Sequence, residues 1–244
     1  MPNDRFGFST GALEKSDFQT AVEWMRANQI RCVELSALRL DELQPLVDSL
    51  GALDLDQFVY ISFHAPSSFP KHQEKFVVDL LTVVARHGWN IVVHPDVIST
   101  PSLWQVFGRQ LLLENMDRRK STGRNVEELT KLFEELPDSR LCLDLAHARQ
   151  LDTTLGLLHD IVKTFKDRIA EVHISELDSR CSHRPLSESA VTDYQYFAQA
   201  LENVPVIIES VIDHLHHSLR LDEVHLAEKA LTPNGVFEQL QHVT

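Results

Sequence analysis

The chain has 244 residues, 43% of them hydrophobic, and a formal net charge of −13 from 36 acidic against 23 basic side chains. That balance opposes a polyanionic partner: phosphate-backbone binding needs a basic footprint, the longest basic run is Arg118-Arg119-Lys120, and duplex DNA is therefore disfavoured. No apolar run approaches the roughly 18 residues of a membrane span, and three cysteines without CxxC spacing give no disulfide framework, so no membrane partner is expected and a reducing cytoplasm is the simplest home.

The pattern alternates strand and helix from the start. A strand near 5–10 is followed by a helix over 16–28 with Ser16 as its candidate cap, then a strand over 31–36 and a helix over 39–50 that stops at Gly51. The third strand, 57–64, precedes a helix over 71–87 closed by Gly88. Pro95 stops the fourth strand, 90–94, because proline cannot extend a central strand, and a short helix follows over 101–107. Strand 110–114 leads to helix 125–136, strand 140–144 to helix 153–166, and strand 168–174 to a loop over 175–191. Helix 192–202, strand 204–209 and a closing helix near 219–230 complete the chain. These are eight βα units of roughly 25–35 residues with no linker between them, which predicts one domain over 1–244: a single (β/α)8 barrel of the α/β class. Neither GxGxxG nor GxxxxGK[ST] occurs, so dinucleotide and P-loop sites have no support.

Six of the strands end in a residue able to bind a metal. The runs are FVYISFH ending at His64, IVVH at His94, LLLE at Glu114, LCLD at Asp144, AEVH at His173 and VIIE at Glu209. The C-terminal ends of parallel strands emerge together at one rim of a barrel, where active sites of this architecture are built. One histidine at one strand end reads as an ordinary hydrogen-bonded loop residue, but six consecutive strand ends read as a metal site. Imidazole and carboxylate donors together suit zinc first, with manganese, iron or cobalt as alternatives. His147, three residues beyond Asp144, faces away if the strand continues and returns to the site if the strand ends there; its plainer reading is a helix-capping or supporting histidine. Glu34 ends the second strand on the same rim and is a candidate for binding substrate hydroxyls or for supporting a ligand. Arg180 and Arg184 flank His183 and suit a phosphate or sugar oxygen, or else a solvated loop. The tract Asp213-His-Leu-His-His217 looks metal-binding but reads better as a polar loop.

These segments resemble the xylose isomerase-like TIM-barrel superfamily, which includes endonuclease IV and many sugar isomerases and epimerases. The resemblance runs through His64 in FHAP, His94 in VVHP, Glu114 in LEN, Asp144 and His147 in LDLAH, His173 in VHIS, His183 in CSHR and Glu209 in IIES. By analogy with the trinuclear zinc cluster of endonuclease IV, it implies one ion on His64, His94 and Glu114. A second would be bridged by Glu114 to Asp144, His173 and Glu209, and a third would use His147 and His183. Where the endonuclease pattern reads Asp-Arg-His, this chain has Cys181-Ser182-His183; Cys181 either replaces a ligand as thiolate or is an ordinary loop thiol, the reading favoured here.

Two chemistries share these residues. In the first, two or three ions generate a hydroxide and clamp the attacking and leaving oxygens of a phosphoester on a small or sugar-like substrate. In the second, one ion on Glu114, Asp144, His173 and Glu209 polarises a sugar's oxygens while Glu114 and Glu209 move protons, as in an isomerase or epimerase. The hydrolase is favoured, because a one-ion isomerase does not require both His64 and His94; Glu114, Glu209 and His147 are the candidate catalytic residues. A third reading is a non-catalytic metal-binding barrel. Oligomeric state leaves no mark on the helical faces.

Overall fold

Alternation along each strand sorts the side chains of a closed parallel barrel into two environments. In the computed structural model, which describes residues 4–212 and 217–233, the barrel strands are β1 (Phe6–Ser9), β2 (Cys32–Ser36), β3 (Tyr60–His64), β4 (Asn90–Val93), β5 (Leu111–Glu114), β6 (Arg140–Asp144), β7 (Ile169–Ile174) and β10 (Val206–Ile208). Each of β1 to β6 pairs in parallel with the next, and β10 closes the ring between β7 and β1. The remaining strands, β8 (Glu176–Leu177) and β9 (His183–Arg184), form a separate antiparallel hairpin inside the segment predicted as loop.

Outward residues such as Phe8, Leu35, Phe63, Val93, Leu113, Leu143, Ile174 and Ile208 join one large apolar cluster with the surrounding helices. Complete burial of such a side chain contributes about 1.5–3 kcal/mol. The inward positions differ from the branched apolar layers usual in these barrels. A small group of Val92, Leu112 and Cys142 with Ala170 is apolar, while Glu34, Ser62, Glu171 and His173 lie fully buried on the same inner face. Gly7 has a structural reason on β1: a Cβ there would lie 1.8 Å from the Cys32 carbonyl oxygen.

The predicted elements recur with local shifts. Helix Phe18–Ala27 is capped by Asp17, not Ser16, because the Asp17 Oδ1 accepts from the Thr20 amide at 3.1 Å. Gly88 takes φ +79 just past helix Glu74–Ala85, a conformation only glycine adopts freely. Two short helices were not expected, Thr10–Glu14 and Leu145–Leu151, each starting directly from a strand end. Helix Glu188–Gln195 begins earlier than predicted because Ser187 caps it, accepting from the Ala190 amide at 3.2 Å. Residues 213–216, most of the histidine-rich tract, lie outside the described residues. Among the described residues no helix is long and apolar enough to cross a membrane.

Candidate metal centre

Three overlapping groups of donors gather at the C-terminal rim: His64 with His94 and Glu114; Glu114 with Asp144, His173 and Glu209; and Asp144 with His147 and His183. Within each, one ligand atom per residue lies within 4.8 Å of the others, the spread expected around an ion with bonds of about 2.0–2.3 Å. Glu114 belongs to the first two groups and Asp144 to the last two.

The local folding explains how each donor is aimed. His64 Nδ1 lies 2.7 Å from the Ala65 carbonyl, which turns Nε2 inward to 3.2 Å from Glu114 Oε2. His94 Nε2 reaches the same oxygen at 3.2 Å. β6 ends at Asp144, which caps helix Leu145–Leu151: its Oδ1 accepts from the His147 amide at 2.7 Å. That helix start brings His147 back into the rim, with Nδ1 2.9 Å from the Asn115 carbonyl and 3.2 Å from Glu114 Oε1. Asn115 ties two strand ends together, donating to the Asp144 carbonyl and accepting from its amide, both at 2.8 Å. His173 Nδ1 lies 3.4 Å from Glu209 Oε2. His183 is carried by the β8–β9 hairpin, with Nδ1 2.8 Å from Ser175 Oγ and 3.7 Å from Glu209 Oε2.

Four buried atoms of the donor residues themselves make no hydrogen bond: Asp144 Oδ2, His173 Nδ1, Glu209 Oε2 and His94 Nδ1. Buried polar groups are normally satisfied, and the first three belong to residues of the four-donor group. The donor set therefore fits divalent cations.

Electrostatics agree with that fit. Burial works against charge on His64, but Glu34, Glu114 and Glu209 override it and lift the imidazole to about 9. Burial is likewise opposed at His147, where Asp144 and Glu114 raise it to about 10. Burial raises Asp144 to about 7, with Glu209 and Glu114 adding to it against His147. Burial also opposes charge on Glu114, yet His94, His147, His173 and His64 hold it well below the usual carboxylate range. His94 and His183 are lowered chiefly by burial. In the metal-free protein, protonated imidazoles therefore do part of the neutralising that cations would do. For His64 and His147 the folded values lie above the unfolded one near 6.5. Their contribution to stability is complete below about pH 6.5 and lost as pH rises through about 9 and 10. Thermal melts of chelator-treated protein should show a falling Tm between pH 7 and 10; a flat or rising Tm would contradict this electrostatic picture.

The other sequence candidates are placed differently. Glu34 is fully buried, its Oε2 3.1 Å from His173 Nε2, so it lies beneath the donors and not on a wall that substrate hydroxyls reach. Arg184 is held by the Asp178 carboxylate at 2.8 and 3.0 Å, in a depression with Glu14 and Lys15 outside the rim cavity. Arg180 is exposed. Cys181 is buried, and Gln150 lies 3.2 Å from its sulfur; it lines the cavity but does not join the third donor group, where Asp144 stands.

The cavity over the donors has a volume of about 640 Å³ and is also lined by Ser67, Ser68, Arg119 and Lys120. Fully buried Asp117 fixes Arg119 through Nε at 2.9 Å and Nη2 at 2.5 Å, and Lys120 is fixed by Asp96 at 2.9 Å. From the sequence this loop reads only as a charge run. Sequence reasoning also passes over Glu171, whose signal is its place two residues before His173 on one strand, hence on the same face.

Residues 101–230 match the sequence profile of a family described as "Xylose isomerase-like TIM barrel". No curated protein sequence matches the chain. Among solved structures it is similar to endonuclease IV from Thermus thermophilus, at a TM-score of 0.63 and 20% identity over 92% of this chain and 99% of that one. It is also similar to the apo form of 3-keto-D-glucoside 4-epimerase from E. coli, at 0.67 and 14% over 92% and 98%. A second Thermus thermophilus protein, soaked with ZnCl2, superimposes at 0.57 and 17% over 90% and 97%. At these identities the likeness speaks to the fold.

Proposed function

Because this chain belongs to the xylose isomerase-like TIM-barrel family, and because its rim carries overlapping donor groups, we propose that it is a divalent-metal-dependent hydrolase acting on a phosphoester of a small or sugar-like substrate. One observation carries the choice. His64 Nε2 and His94 Nε2 both stand 3.2 Å from the same oxygen of Glu114, an arrangement that a one-ion isomerase does not need. His64, His94 and Glu114 would hold one ion; Glu114, Asp144, His173 and Glu209 a second; Asp144, His147 and His183 a third. Zinc suits so imidazole-rich a set. When bound, such ions supply Lewis-acid polarisation of a phosphoryl oxygen and activation of water.

The chain's own residues do the rest. Glu114 offers Oε2 toward the two histidines and Oε1 toward His147, so one carboxylate sets the spacing between two positions. Arg119 and Lys120, braced by Asp117 and Asp96, line the cavity where an anionic substrate enters. Its volume of about 640 Å³ falls within the range of about 300–1,000 Å³ typical of small-molecule sites. Glu114 and Glu209 also lie in one donor group, which supports the second reading, an isomerase or epimerase that uses them as an acid–base pair around a single ion.

Metal stoichiometry separates the two. Protein purified without chelators should carry two or three ions per chain by elemental analysis; a single ion would overturn the hydrolase in favour of the isomerase. A substrate screen should then include sugar phosphates, free sugars and an oligonucleotide bearing an abasic site. Turnover of the oligonucleotide alone would overturn the small-substrate part of the proposal, and no turnover at any metal loading would favour a non-catalytic barrel.

A further inference from the structure

His173 is clamped between two environments. On its rim side Nδ1 faces Glu209 Oε2 at 3.4 Å and Glu114 Oε1 at 3.8 Å, buried and without a hydrogen bond. On its inner side Nε2 lies 2.9 Å from Glu171 Oε1. The Glu34 Oε2 is 3.1 Å away but makes no hydrogen bond, so the Nε2 proton is directed at Glu171.

Glu171 is itself held in place. Its other oxygen accepts from the Tyr60 hydroxyl, and Cys142 Sγ approaches Oε1 at 3.9 Å. Tyr60 in turn accepts from Asn90 Nδ2 at 2.8 Å, and Asn90 Oδ1 from Arg140 Nη2 at 2.5 Å. Arg140 also donates through Nε to the Arg109 carbonyl at 2.7 Å. A connected polar chain thus runs from the lower end of the barrel, through its interior, to the underside of one donor. An imidazole has one proton to place when neutral, and the acceptor on one edge decides which nitrogen keeps its lone pair.

We infer that Glu171 is a positioning residue, braced by Tyr60, that fixes the Nε2–H form of His173 and so assigns Nδ1 as its metal-facing nitrogen. This rests on the metal centre proposed above. It makes His173 the opposite of His64, whose Nδ1 is occupied by a carbonyl and whose Nε2 faces the donors. Carboxylates that accept from a ligating histidine raise its basicity and hold its orientation, and their loss typically weakens metal binding by about 10–100-fold.

The test compares metal-stripped full-length wild type with Glu171→Gln and Tyr60→Phe, using zinc ions alone as the probe. Calorimetric titration of Glu171→Gln should show one binding step weakened by about 10–100-fold, with the step that requires His64 unchanged. Tyr60→Phe removes the brace while keeping every ligand and should weaken the same step by less; it also carries the test if Glu171→Gln fails to fold. In zinc-loaded wild type the His173 Nε2 proton should appear as a slowly exchanging, strongly downfield resonance, and it should shift upfield in both variants. Isotherms and proton resonances that match wild type would overturn the inference and leave the metal centre standing. Wild type that takes up no zinc would overturn both.

Discussion

Replacing Glu114 with alanine is expected to strip two ions from the purified protein and to lower phosphoester turnover by about 10³-fold or more, the several kcal/mol that metal ions contribute to such chemistry. The effect is large because this carboxylate is shared. Oε2 faces His64 and His94, while Oε1 faces His147 and, at 3.8 Å, His173. Its removal leaves those imidazoles facing one another in a buried space without the negative charge between them. The outward-facing strand residues that pack against the helices are untouched, so the barrel should still fold. Elemental analysis beside a circular-dichroism melt checks this: full metal occupancy in the folded variant would defeat the role assigned to Glu114.

His64→Ala is expected to remove one ion only, and to cost about 10²-fold or more in hydrolysis, one ion's share of the same stabilisation. His64 belongs to the first donor group alone, whereas Glu114 and Asp144 each belong to two. Its ring lies 6.1 Å from that of His173, centroid to centroid, so alanine opens space without deleting a donor from the four-residue group. An unchanged ion count would refute the multinuclear arrangement, and sugar isomerisation persisting at the wild-type rate would transfer the site to the one-ion chemistry.

The strand ends were legible because two signals coincide there: an apolar run and a terminal donor. Both follow from the geometry of parallel barrels, which places the last inward residue of each strand at one rim. His147 was readable only conditionally. Its side chain enters the site because Asp144 stops β6 and caps a helix, a choice of backbone path that a sequence of three residues leaves open. Glu34 looked like a rim residue, yet on β2 it is followed by Leu35 and Ser36, so it sits one inward layer below the rim. Glu171 was hidden for the same reason: a charged residue inside an apolar run marks the inner face only once the partner it meets across the barrel is known. Cys181 depended on the hairpin, where it takes φ +59 and turns toward Gln150; nothing in CSHR announces a left-handed residue.

The capping role of Asp144 has a consequence for metal selectivity. One of its oxygens is engaged by the first turn of helix Leu145–Leu151, and the other is buried without a hydrogen bond, 3.4 Å from His147 Nδ1. Asp144 therefore has one oxygen free of hydrogen bonds to offer an ion, while the other is already shared with the helix start. His64 and His94 each add a single nitrogen on the neighbouring position. Calcium favours six to eight oxygen donors, often from bidentate carboxylates, whereas zinc is content with four donors of mixed kind. At the proposed metal centre that helix start would favour coordination through one Asp144 oxygen, and zinc should outcompete calcium for the metal-stripped protein.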